Sequence, residues 1–143
     1  MTPDNKTKLY GDLFTTFTGT IAGIQGADNI TANYASAGAP AAAAIGAYPI
    51  TATLNDPGNR LANYTVTLNT GTLTVTQRPL TVTPNNASKI YGNVFNTFTG
   101  TIVGIQNADA ITATYSSPSS VATATVAGSP CTITAVLNAP AGV

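Results

Sequence analysis

Apolar and polar residues alternate with period two through most of the chain, the pattern of strands with one face turned inward. The inward sets are Ile30, Ala32 and Tyr34; Ile50, Ala52 and Leu54; Tyr64, Val66 and Leu68; Leu73 and Val75; and Leu80 and Val82. They continue as Ile111, Ala113 and Tyr115, then Ile133, Ala135 and Leu137. Threonines fill many of the intervening positions, and their branched Cβ favours extended backbone. Asn69-Thr70-Gly71 separates two of these runs, which predicts a hairpin between residues 64–68 and 72–76, with glycine supplying the positive φ of a short loop. Helical signal is weak. Residues 23–28 allow one helical turn, interrupted by glycine, and the Ala41–44 run lacks an amphipathic stripe and reads as loop.

The pattern occurs twice. Residues 2–36 laid on 83–117 give 23 identities in 35, an offset of 83 − 2 = 81. The Ile50 strand returns at Ile133, an offset of 83, after a loop rich in alanine, proline, glycine and serine: residues 35–47 in the first copy and 116–130 in the second. Self-similarity at a fixed period marks an array of structural units. The boundary falls at Gln77-Arg78-Pro79, which predicts modules at residues 1–77 and 78–143. So short a joint, stiffened by proline, should hold neighbouring units end to end. Met1 aligns with Val82, and the second copy has no counterpart of residues 63–76. The sequence therefore reads as a piece of a longer array whose second module carries an unfilled sheet edge. The predicted fold class is all-β: two tandem small modules with little helix, each an Ig-like sandwich or a β-grasp-like unit.

Composition narrows the role. Apolar residues make up 43% of the 143, but charged residues only 7%, against about 25% in ordinary domains. Five bases and five acids cancel, so neither nucleic acid nor an anionic membrane surface has a basic patch to bind. No apolar run approaches a membrane span, and the N-terminal residues lack the apolar core of a secretory signal. Cys131 is the single cysteine and reads as a small buried apolar residue in a strand.

Candidate chemistry is sparse. Histidine, glutamate and tryptophan are absent, and the two copies share no carboxylate pair, so catalytic, cofactor-binding and metal-binding residues are all expected to be none. The Tyr10-Gly11 and Tyr91-Gly92 pairs are a core or interface tyrosine followed by a glycine turn, with a sugar-stacking platform as the rival. Phe14, Phe17, Phe95 and Phe98 are expected in the core. Asp28 and Asp109 repeat at one site as turn or cap acceptors, since calcium needs more carboxylates than either offers. Lys8 and Lys89 could join an isopeptide bond to asparagine, though the spacing is not diagnostic. The threonine pairs are too far apart in period for a flat ice-binding lattice. Sequons at Asn5, Asn29, Asn63 and Asn86 match chance in a threonine-rich chain.

Several short motifs together resemble the MBG domain of the YGX type, a repeat of large bacterial surface and adhesin-like proteins. They are Lys8-Leu9-Tyr10-Gly11, Gly23-Ile24 with Asp28, Gly46-Ala47-Tyr48 with Ile50, Asn63-Tyr64-Thr65-Val66, and Gly71-Thr72-Leu73-Thr74-Val75. The second copy matches through Lys89-Ile90-Tyr91-Gly92 and Gly104-Ile105 with Asp109, and departs at Gly128-Ser129-Pro130-Cys131. The resemblance implies secreted, cell-surface, tandemly arrayed modules. The expected function is a non-catalytic stalk or adhesion repeat whose partners are neighbouring repeats. The alternative is a glycan- or host-protein-binding module using loops 35–47 and 116–130.

Overall fold

The computed structural model describes residues 1–140 and divides into two units, Met1–Arg78 and Pro79 onward. Both are built of strands, and among the described residues no helix exceeds one short 3-10 turn.

In unit 1 the strands are β1 (Thr2–Pro3), β2 (Lys6–Leu9), β3 (Gly19–Thr20), β4 (Thr31–Ser36), β5 (Gly46–Asn55) and β6 (Gly71–Thr76). The main sheet has the order β2-β6-β5-β4, and β1 and β3 form a separate antiparallel ribbon. The predicted alternation holds on β4, β5 and β6 but fails at Val66 and Leu68, expected inward and found exposed. Leu73 and Val75 on β6 point inward, Ile50 on β5 joins them, and Ile30 closes the core from the residue before β4; Ile50 and Leu73 are fully buried. Tyr34 on β4 reaches the ribbon: a Cβ added to Gly19 would lie 2.7 Å from Tyr34 Cζ and 2.8 Å from Pro3 Cα. A bare glycine is what lets ribbon and sheet approach there.

The predicted hairpin does not form. Residues 64–70 carry no strand, and β6 pairs in parallel with β2 and antiparallel with β5. Residues 67–69 instead run beside the N-terminus: the Met1 ammonium donates to the Thr67 carbonyl (2.9 Å), and the Asn69 N–H donates to the Met1 carbonyl (3.0 Å). Alternation identifies an extended segment but not its partner. Here the long-range pairing wins because it buries Leu73 and Val75 between two strands, where a local hairpin would give them one.

Unit 2 repeats part of this plan with β7 (Thr81–Pro84), β8 (Gly100–Val103), β9 (Thr112–Ser116) and β10 (Thr134–Asn138). Antiparallel β7–β8 matches the β1–β3 ribbon, and antiparallel β9–β10 matches β4 with the second half of β5. Gly100 again lies under tyrosine, its added Cβ 2.5 Å from Tyr115 Cζ. Counterparts of β2 and of the first half of β5, residues 87–90 and 129–133, carry no strand. In unit 1 those are the two segments that pair with β6. Among the described residues the buried apolar side chains all lie in unit 1, while Val136 and Leu137 on β10 are exposed.

The expected helical turn at residues 23–28 is a tight turn closed by the Asp28 N–H on the Gln25 carbonyl (3.3 Å). Gly23 and Gly26 both take positive φ there, which a helix does not allow.

Candidate functional site

The Tyr-Gly pairs lie in identical turns. The Asp12 N–H donates to the Leu9 carbonyl and the Asn93 N–H to the Ile90 carbonyl, both at 3.2 Å. Gly11 and Gly92 each sit at φ +88°, the third position of a type II turn, where glycine avoids the Cβ clash. The turn is then fastened to the alanine-rich loop. Gly11 N–H donates to Ala41 O (3.2 Å) and Phe14 N–H to Ala39 O (2.9 Å); Gly92 does the same to Ala122 (3.3 Å) and Phe95 to Ser120 (2.8 Å).

The repeated lysine completes this latch. Lys8 is buried, and its ammonium donates to the carbonyls of Asp12 (2.9 Å), Ala39 (3.3 Å) and Pro40. Lys89 donates to the carbonyls of Asn93 (3.1 Å) and Val121. Burial pushes the Lys8 ammonium below its ordinary pKa, partly offset by the charge of Asp12. The hydrogen-bond partners of both lysines are backbone carbonyls rather than asparagine side chains, so the ammonium closes a turn onto a loop.

Arg78, at the end of unit 1, also serves this turn. Its Nε donates to the Tyr10 carbonyl (2.7 Å) and its Nη2 pairs with Asp12 Oδ1. Tyr10 is half-buried, but Tyr91 is 63% exposed. The four phenylalanines are not core: each is half-buried, and they form two edge-to-face pairs, Phe14–Phe17 at 4.9 Å and Phe95–Phe98 at 5.1 Å. The pairs lie on long segments between strands.

Asp28 is answered from a distance. The Tyr64 hydroxyl donates to Asp28 Oδ2 (2.6 Å) and accepts from the Gln25 N–H (3.0 Å), while Arg60 approaches Asp28 Oδ1 at 3.7 Å. The bond to Asp28 raises the Tyr64 pKa. Asp56 organises the following loop by accepting the Leu61 N–H (2.8 Å), and the N–H groups of Leu61 and then Arg60 hold its carboxyl below the aspartate range. Among the described residues no three histidine, cysteine, aspartate or glutamate side chains cluster as a metal site, and no helix is long and apolar enough to cross a membrane.

Cys131 is neither buried nor in a strand. It replaces Tyr48, whose ring packs on Gly38 in unit 1; a Cβ added to Gly38 would lie 2.7 Å from Tyr48 Cδ2. The residue equivalent to Gly38 is Ser119, and its hydroxyl meets the Cys131 thiol. The two units differ at both positions of this pair, with glycine under tyrosine in unit 1 and serine against cysteine in unit 2. Cys131 is exposed because residues 129–133 have no flanking strand to cover them.

Unit 2 holds a groove of about 620 Å³ lined by residues 84–89 and 129–133, with Phe95 and Phe98 also in its wall. The sequence anticipates an unfilled sheet edge in this unit but not the groove or the residues that line it.

The MBG domain (YGX type) family model matches residues 1–74 and again residues 80–139. No curated protein and no solved structure matches the chain. The family is one of repeat modules of surface proteins, and the two matches cover both units that the fold shows. The chain therefore belongs to the MBG domain (YGX type) family and carries two tandem copies of it.

Proposed function

We propose that the two units are non-catalytic structural repeats of a secreted bacterial surface protein, serving as stalk or adhesion modules beside neighbouring repeats. The observation that carries this reading is how the repeated residues are used. Lys8 and Lys89, Gly11 and Gly92, Gly19 and Gly100, and Tyr34 and Tyr115 all bind or pack against the protein's own chain. Duplication has thus kept a packing scheme. A shared ligand site would instead leave repeated polar or aromatic groups turned outward together. The loops at 35–47 and 116–130, where a glycan or host protein would bind, are fastened to the Tyr-Gly turns.

Exchange of both units, within a surface-displayed parent, for two unrelated β modules of similar length tests the proposal. A spacer role predicts that display and adhesion survive the exchange. Loss of adhesion, or saturable binding of the isolated pair on a glycan array, would overturn it in favour of a binding module.

A further inference from the structure

We infer that unit 1 is a load-bearing module in which β2 and β6 form a clamp against tension applied along the chain. β2 lies near the start of the unit, and β6 is its last strand, ending just before Arg78. The two pair directly and in parallel, from Lys6↔Leu73 to Leu9↔Thr76. Tension from the N-terminal side draws β2 toward its first residue. Tension through Arg78 draws β6 toward its last. In a parallel pair these pulls are opposed along the strand axis, so the ladder bonds are loaded together and must break together. An antiparallel pair whose loaded ends leave on the same side opens one bond at a time. β2 is at the sheet edge with β6 beside it, so the direct line of load runs from β2 to β6 and on to the joint.

Contacts outside the ladder reinforce both of its ends. Before it, Asn5 Oδ1 accepts the Thr72 N–H (2.8 Å), and within it Thr76 Oγ1 donates to the Lys8 carbonyl (3.1 Å). Beyond it, the Tyr10 N–H donates to the Thr76 carbonyl (2.8 Å) and Arg78 Nε to the Tyr10 carbonyl (2.7 Å), while Arg78 Nη2 pairs with Asp12 Oδ1. Each of these bonds joins residues 5–12 to residues 72–78, the two segments that tension draws apart. The core opposes sliding as well. Leu73 and Val75 are buried, and a slip of one residue would turn both outward. The β1–β3 ribbon ahead of the clamp has only the pairs Thr2↔Thr20 and Pro3↔Gly19, so it gives way first and leaves the clamp in place. The inference rests on the stalk reading for the source of the tension; the resistance belongs to unit 1 by itself.

Single-molecule pulling on the full chain tests it, with Cys131→Ser removing the single native thiol. Handles at the N-terminus and at Pro79→Cys load β2 and β6 in shear. Handles at Ala44→Cys and Pro79→Cys, both exposed positions, load β5 and β6 instead, and that antiparallel pair opens from its Gly46↔Val75 end. Forced unfolding reads the barrier rather than the equilibrium stability. The expected result is a several-fold higher unfolding force in the first geometry at the same loading rate. Arg78→Ala removes the outermost bonds of the clamp and should lower the force in the first geometry only. Asp12→Ala, at an exposed position, removes one of those bonds with less risk to folding and should act in the same direction. Equal forces in the two geometries, or variants that shift both geometries alike or neither, would overturn the inference. Loss of adhesion when both units are exchanged counts against the stalk reading instead and leaves the measured forces as they are.

Discussion

Lys8 and Asp56 show how few charges this chain uses and how locally it uses them. The Lys8 ammonium donates to three carbonyls of the Tyr-Gly turn and the alanine-rich loop, two of which also accept backbone N–H groups, Ala39 from Phe14 and Pro40 from Ala43. Asp56 works through backbone N–H groups that favour its ionised form. Its folded pKa lies below the unfolded one, so its contribution is present above the ordinary value of about 3.9 and is lost as pH falls through the depressed folded value. Unit 1 should therefore show a thermal midpoint that falls on acidification through this range, and Asp56→Asn should flatten that dependence. An unchanged pH profile in the variant would remove Asp56 from the account. Lysine and tyrosine-glycine were visible in the sequence as repeats. Their partners were not, because Ala39, Ala41 and Pro40 act through carbonyls that every residue type carries.

At the level of elements, β6 is the organising strand. Its alternation was legible, and so was the inward set of Leu73 and Val75. Its neighbours were not: the sequence placed residues 64–68 against it, whereas β2 and β5 take both edges. Register and partner are decided by which pairing buries the most apolar surface, and two flanks bury more than one. Leu73 is fully buried, so Leu73→Ala should cost unit 1 about 2–5 kcal/mol in chemical denaturation. Amide exchange should then rise first at residues 6–9 and 46–50, the segments held by β6. A variant in which residues 31–36 exchanged first would place the organising contact elsewhere.

In the whole molecule, the two units share a sequence pattern and differ in completeness of their sheets. Unit 1 encloses Ile30, Ile50, Leu73 and Val75, while unit 2 leaves Ile90 and Tyr91 exposed along with Val136 and Leu137 on β10. Apolar burial is the dominant stabilising term, so calorimetry should resolve two transitions, with unit 2 melting first and Leu73→Ala lowering only the upper one. A single transition shifted as a block by that substitution would contradict the division. The sequence by itself determined the all-β class, the two-fold repeat, the Tyr-Gly turns and the inward faces of β4, β5 and β6, because these follow from local backbone preference and a period of two. Tertiary structure alone decided that β6 lies between β2 and β5, that the phenylalanines pair at half-exposed positions and that Cys131 faces solvent. Each of those depends on which distant segment is available to cover a side chain, and alternation along one strand carries no record of its neighbour.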